Sequence, residues 1–110
     1  MKGKTKIDVN LVRSINESMP DEIYREDGIE WEIYLSWKGI LATSRNKRGK
    51  KWIVYPEFWS DVSYPYGDIN AREENINTYI ERFKSSGFQV ILSEEDEGIM
   101  KGKKKITISW

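Results

Sequence analysis

Residues 70–87 read NAREENINTYIERFKSSG, and this stretch decides the predicted fold because its helical pattern is the clearest in the chain. Its apolar side chains recur at three- and four-residue spacing at Ile76, Tyr79, Ile80 and Phe83. Asn70 followed by Glu73 is a variant of the capping box, and Gly87 suits a left-handed helix end. We therefore predict a helix over 71–86 whose single apolar face needs an apolar partner surface.

The partner surface is predicted from short alternating segments elsewhere in the chain. Residues 22–25 lead into Asp27-Gly28, a dipeptide typical of tight turns, and apolar residues then occupy alternate positions over 29–35. This pattern predicts a hairpin over 21–36. Further strands are predicted at 40–44, 51–55, 88–92 and 105–110. The expected fold class is α+β: an antiparallel meander sheet of about six strands covered by the helix 71–86.

Two readings of the N-terminal region are open. Residues 8–19 have near-helical apolar spacing before Pro20 and predict a short helix, whereas Ile7 and Val9 would suit an extended arm. The first residues, MKGKTKIDVNLVRS, lack the apolar segment of a secretory signal, and no apolar run approaches the roughly 20 residues of a membrane helix. We expect a cytoplasmic protein that does not enter a membrane.

Length and composition exclude more functions than they indicate. The 110 residues fit a single domain, 1–110. The absence of Cys and His removes disulfides, thiolate nucleophiles and the commonest metal ligand and general base. Asp61 and Asp68 flank Tyr64-Pro65-Tyr66 and could line a cleft, but no phosphate loop, serine elbow or metal-spaced acidic cluster is present. We therefore expect no enzyme activity, no catalytic residue, no cofactor and no metal site.

A net charge of zero conceals an acidic segment over 21–36. Its six acids and one arginine give a local charge of minus 5. In the predicted hairpin these acids would form a docking surface for a basic partner, since complementary charge speeds association and selects the partner. The residues assigned to this surface are Glu22, Glu26, Asp27, Glu30 and Glu32. The alternative is a solvated strand face that keeps the chain soluble.

A basic segment follows at 45–51. Its cations are Arg45, Lys47, Arg48, Lys50 and Lys51. With Trp52 or the aromatic residues of 58–66 as stacking platforms, this segment would suit a small nucleic-acid-binding module. The segment is short and acidic stretches surround it, so a solvated turn explains it equally. Nucleic acid is therefore the alternative partner and not the expected one.

Apart from Trp52, the tryptophans divide into two groups. Trp31 and Trp110 lie on alternating apolar faces of predicted strands and are expected in the core. Trp37 precedes Lys38-Gly39 at a predicted turn, and Trp59 lies in the connector between the fourth strand and the helix. Either Trp37 or Trp59 could be an exposed anchor of a protein interface, because tryptophan is enriched at binding hot spots.

Residues 51–92 carry a resemblance to a known class of proteins. A strand, KWIVY at 51–55, is followed by Trp59, the connector YPYGDI at 64–69, the acidic pair Glu73-Glu74, and a Gly87-Phe88 turn into a strand. This order resembles that of small immunity proteins of bacterial polymorphic and contact-dependent toxin systems. The segment 24–28, YREDG, is similar to the front half of that family, so the resemblance covers about residues 22–92.

The resemblance implies a cytoplasmic protein that binds a cognate toxin and blocks its active site or substrate path without catalysis. Many such toxins are basic nucleases, so an acidic face would mimic their nucleic-acid substrate. The residue roles given above come from the charge pattern and not from a family motif. A phage-encoded inhibitor of a host defence nuclease would use the same physics on a different target. The oligomeric state stays open, because strand 105–110 could also pair with a neighbouring chain.

Overall fold

The structure is a computed structural model that describes residues 28–46 and 49–110. The elements, in chain order, are helix α1 (Ile29–Arg45), strand β1 (Lys51–Val54), a 3-10 turn (Pro56–Phe58), helix α2 (Ile69–Ser85), strand β2 (Gln89–Glu94) and strand β3 (Lys104–Ser109). The predicted helix 8–19 and the predicted first strand 22–25 lie outside the described residues.

Strand β3 is the central strand of the sheet. The strand order is β1-β3-β2, and both pairings are antiparallel. In this register Ile108 lies between Trp52 and Val90, so the three side chains share one face. Ile106 and Ile108 are fully buried, whereas Thr107 between them is only partly buried. The core therefore lies against one face of the sheet.

Both helices contribute to this core. Helix α1 contacts β1, helix α2 contacts β2, and the two helices contact each other. Their buried apolar side chains form one cluster with the inner face of the sheet, and the helical members are Ile33, Trp37, Ile40, Leu41, Ile76, Tyr79 and Phe83. The described residues thus form two layers, with a helical layer on a three-stranded sheet, and the predicted α+β class is confirmed.

The prediction of about six strands is wrong, because residues predicted as strands 29–35 and 40–44 form the single helix α1. The described residues contain three strands. The alternation over 29–35 is real but covers only seven residues. A longer helical pattern overlaps it, and its buried members are Ile33, Trp37, Ile40, Leu41 and Ser44. The acidic hairpin over 21–36 is therefore not formed, since its second half is helical.

Helix α2 confirms the predicted helix 71–86, with bounds about two residues earlier at its start. Ile76, Tyr79 and Phe83 are buried, as the apolar stripe predicted. The cap differs: Asp68, not Asn70, precedes the first helical residue, and its Oδ1 accepts a hydrogen bond from Ala71 N–H at 3.0 Å. An aspartate at this position offsets one of the unpaired N–H groups of the first turn.

The three remaining strand predictions agree with the structure to within about two residues. They are 51–55, 88–92 and 105–110, which correspond to β1, β2 and β3. In residues 28–46 and 49–110, neither helix has the combination of length and apolar character needed to cross a bilayer.

Candidate functional site

Helix α1 directs Glu30 and Glu32 to different neighbours. Glu30 forms an ion pair with Arg82 of α2, and its side chain is mostly buried. Glu32 is 8% exposed, and its Oε2 accepts a hydrogen bond from Ser60 N–H at 3.1 Å. The two acids therefore do not share a solvated face. Glu22, Glu26 and Asp27, the other acids assigned to the docking surface, lie outside the described residues.

Glu32 lies instead in a cleft where α1 meets β1 and the connector that follows it. The cleft has a volume of about 240 Å³. It is lined by one wall from α1 and one wall of mostly aromatic side chains, comprising Glu32, Leu35, Ser36, Trp52, Ile53, Val54, Tyr55, Phe58 and Trp59. We call it the α1–β1 cleft. It brings together two residues assigned from sequence to partner binding, Glu32 and Trp59.

The polar groups of the α1–β1 cleft are Glu32 and Ser36, which lie one turn apart on α1. Ser36 is buried, and its Oγ accepts a hydrogen bond from the Tyr79 hydroxyl at 2.5 Å. Burial raises the pKa of Tyr79 far above its ordinary value of 10.0, and the nearby Glu32 acts in the same direction. Tyr79 therefore stays a neutral donor, which leaves the hydroxyl hydrogen of Ser36 available to another acceptor.

Aromatic and aliphatic side chains surround these polar groups. Trp59 packs on Tyr79 with ring centroids 4.9 Å apart, which fixes one wall against the core. Phe58 is 66% exposed and contacts Tyr55 edge-on at 6.4 Å between centroids. Leu35 and Ile53, at 43% and 45% exposed, extend this apolar surface. The cleft thus has a polar base and an apolar, solvent-exposed rim.

Trp52 holds α1 at the distance that forms the cleft. A Cβ atom placed on Gly39 of α1 would overlap the Trp52 ring, 2.8 Å from Cζ3 and closer to two other ring atoms. Gly39 therefore lies in the helix because the indole needs its space, and not because the chain turns there. The buried Nε1 of Trp52 has no hydrogen-bond partner within the described part of the chain.

A second polar group stands beside Tyr55. The Tyr55 hydroxyl donates to Glu95 Oε1 at 2.7 Å, and Lys105 Nζ donates to Glu95 Oε2 at 3.4 Å. The hydrogen bond from Tyr55, reinforced by Lys105, lowers the pKa of Glu95 below its ordinary value of 4.5, although desolvation opposes this shift. The same bond and the carboxylate charge raise the pKa of Tyr55 above 10.0. This contact ties the end of β1 to the loop after β2.

The Glu95 carboxylate is expected to make folding stability depend on pH. The pKa of Glu95 is lower in the folded protein than its ordinary value. Its ionised carboxylate therefore contributes fully to folding stability above pH 4.5, and this contribution is lost as the pH falls through the pKa of the folded state. The pKa of Tyr55 is raised, so its neutral hydroxyl contributes fully to folding stability below pH 10.0, and this contribution is lost at higher pH.

The free energy of unfolding of Glu95→Gln, measured in urea on both sides of pH 4.5, should depend less on acid pH than that of the wild type. Glu94→Gln, an exposed neighbour, is the control, and equal acid dependence in all three proteins would contradict the assignment.

Trp37 is not at the surface. It is fully buried between the helices and the sheet, with its ring edge-on to Phe88 at 6.3 Å. Its assignment as an exposed anchor is therefore wrong, because the predicted turn at Lys38-Gly39 is part of α1. Trp59, the other candidate, is partly buried and lines the α1–β1 cleft.

The basic segment is only partly described. Arg45, Lys50 and Lys51 are exposed, whereas Lys47 and Arg48 lie outside the described residues. Trp52, one of the proposed stacking platforms, packs its ring on Gly39 of α1 and is only partly exposed. Its ring is therefore less available for stacking on a base than the sequence suggested.

Asp61 and Asp68, which the sequence analysis considered as lining a cleft and did not adopt as a site, have separate environments: Asp68 caps α2, and Asp61 is exposed in the preceding turn. No group of three or more acids within the described ranges is arranged to hold a metal ion.

Comparisons with protein-family models, curated proteins and solved structures give no match for this chain.

Sequence analysis did not identify most of the cleft. Leu35, Ser36, Ile53, Val54 and Tyr55 were not among the candidate residues, and Phe58 was considered only as a stacking platform for nucleic acid. One signal was present: four aromatic residues fall within 52–59, which is too many for an ordinary solvated connector. Their convergence on Glu32 depends on α1 being a helix, which the alternation over 29–35 concealed.

Proposed function

We propose that this protein neutralises a protein toxin by binding it, without catalysis, through the α1–β1 cleft and its apolar rim. One observation carries the proposal. The exposed apolar side chains Leu35, Ile53 and Phe58 surround the same cleft that contains Glu32 and Trp59. Exposed apolar residues that converge on one cleft mark a binding surface, whereas isolated ones are ordinary.

The arrangement has the composition of an interface hot spot. Such sites contain aromatic side chains that become desolvated on binding, with a few polar groups that select the partner. Phe58 and Trp59 supply the aromatic area, and the carboxylate of Glu32 favours a basic partner. The acid that the sequence assigned to steering therefore keeps a role in binding, within a cleft and not on an acidic strand.

The resemblance of residues 51–92 to small immunity proteins supports a toxin as the partner. The expected toxin is a nuclease with a basic surface, bound in the cytoplasm. An inhibitor of a host defence nuclease would bind in the same way and differ only in its target. Neither role requires the protein to transform a substrate, which agrees with a chain that has no His and no Cys.

Phe58→Ala is expected to weaken toxin binding by about tenfold or more, because Phe58 supplies exposed aromatic area at the rim. The candidate toxins are nuclease-type proteins sought among the neighbouring genes, and the measurement is the dissociation constant for such a toxin, together with growth when the two proteins are co-expressed. Folding stability should change little, since Phe58 is mostly exposed. Tyr66→Ala is the matched control, because Tyr66 is 97% exposed and does not line the cleft.

Equal affinity of Phe58→Ala, Tyr66→Ala and the wild type would place toxin binding elsewhere. Charge reversal at Glu30 and Glu32 is a poorer test. Glu30→Lys would break the ion pair with Arg82, and Glu32→Lys would bury a new cation, so both changes act on the fold.

A further inference from the structure

The carboxylate of Glu32 has one hydrogen-bond donor within the described residues. Glu32 is 8% exposed, and its Oε2 accepts from Ser60 N–H. Its Oε1 is not among the fully buried atoms without a partner, so this oxygen reaches the solvent in the cleft. The three ion pairs between described residues use Glu30, Glu57 and Glu95, so none of them neutralises Glu32. Because a carboxylate accepts about four hydrogen bonds, the base of the α1–β1 cleft can accept further donors from a ligand.

The walls of the cleft suit a cation. Trp52, Tyr55, Phe58 and Trp59 line it, and aromatic faces attract cations through the ring quadrupole. This attraction strengthens where water is displaced, as in a cleft whose polar base is buried. Ser36, next to Glu32, is a neutral hydroxyl that accepts from Tyr79, so it supplies no charge to offset the carboxylate.

We propose that the α1–β1 cleft binds one arginine side chain of the protein partner, with its guanidinium on the Glu32 carboxylate and its faces against the aromatic walls. A guanidinium is planar, presents several donors to one carboxylate, stacks on aromatic rings and is weakly hydrated. It fits a donor-poor carboxylate between aromatic walls better than an ammonium, which is compact and strongly hydrated. The proposal rests on the proposed function for the identity of the partner, but the binding of arginine in the α1–β1 cleft can be measured without a toxin.

The experiment uses the full chain and a small probe, N-acetyl-arginine methylamide. Its binding is followed by the side-chain indole resonances of Trp52 and Trp59 in ¹⁵N-labelled protein. The neutral citrulline analogue is the matched ligand control, because it has the same shape without the charge. We expect saturable shifts with the arginine probe, with a dissociation constant on the order of millimolar, and none with the citrulline probe.

Two variants locate the binding. Glu32→Gln keeps an acceptor for Ser60 N–H but removes the charge, and should weaken the arginine probe by about tenfold. Phe58→Ala removes an exposed wall and should weaken it with the fold intact. Glu81→Gln is the control, because Glu81 is an exposed acid on α2 outside the cleft, and it should bind as the wild type does.

Two results would overturn the proposal that the cleft binds an arginine side chain. One is equal shifts with the arginine and citrulline probes, and the other is equal arginine affinity in Glu32→Gln and Glu81→Gln. Neither result would touch the proposed function, since a toxin could still bind the apolar rim. Conversely, the wild type could bind the arginine probe while Phe58→Ala keeps its affinity for the toxin. This result would support arginine binding in the cleft and reject the cleft as the toxin site.

Discussion

Trp37→Ala is expected to lower the free energy of unfolding by about 3–5 kcal/mol, which is typical of removing a large aromatic side chain from a core. The ring is fully buried and edge-on to Phe88, so the substitution leaves a cavity between the two layers. A single domain is usually stable by only about 5–15 kcal/mol, so this loss is a large part of the total. Urea unfolding followed by far-ultraviolet circular dichroism measures the change without relying on tryptophan emission.

Trp37→Phe keeps an aromatic ring at this position but removes the indole N–H. The buried Nε1 of Trp37 has no acceptor within the described ranges, so its removal breaks no hydrogen bond to a described residue. We expect Trp37→Phe to cost less than about 2 kcal/mol, since most of the apolar area stays buried. If Trp37 were a surface anchor, Trp37→Ala would change stability by no more than about 0.5 kcal/mol and would weaken partner binding instead.

Gly39→Val is expected to destabilise the protein by about 2–3 kcal/mol, although valine has the higher intrinsic helix propensity. The new side chain would occupy the volume of the Trp52 ring, so α1 and β1 would have to separate. Because the α1–β1 cleft lies between these elements, its shape would change as well. Thermal and urea unfolding measure the stability loss, and the arginine probe reports the cleft.

The clash can be isolated with two further variants. Ala42→Val lies at an exposed position of the same helix and should cost no more than about 0.7 kcal/mol, the difference in helix propensity. In a Trp52→Leu background the ring is absent, so Gly39→Val should cost less than it does in the wild type. An equal cost in both backgrounds would show that the close approach of Gly39 and Trp52 does not determine the effect.

Local pattern was sufficient to predict α2 and the three strands. The apolar stripe of α2 extends over two turns and ends at a glycine, so no competing periodicity fits it. Strand β3 alternates between buried Ile106 and Ile108 and less buried neighbours, which is the simplest pattern that a one-sided sheet can produce. In these segments, local preference and tertiary burial agree.

Helix α1 could not be predicted from the same signals, because its strongest helix-breaking residue is present for a tertiary reason. Gly39 provides space for a ring that is 13 positions further along the chain, and this requirement leaves no trace in the neighbouring sequence. The cleft was missed for a related reason. Glu32 and Trp59 were identified from charge and residue type, but only the packing of α1 on β1 and the connector brings them together.

The order of the strands in the sheet also affects how the chain folds during its synthesis. Strand β1 has no partner in the described sheet except β3, and the same is true of β2. Neither strand can pair within this sheet until residues 104–109, which form β3, have been synthesised. The aromatic segment 52–59 is made long before that and remains without its sheet during synthesis. The nascent chain thus carries an aromatic, apolar segment that stays unpaired until β3 is made, and such segments are prone to aggregate and are typical chaperone targets.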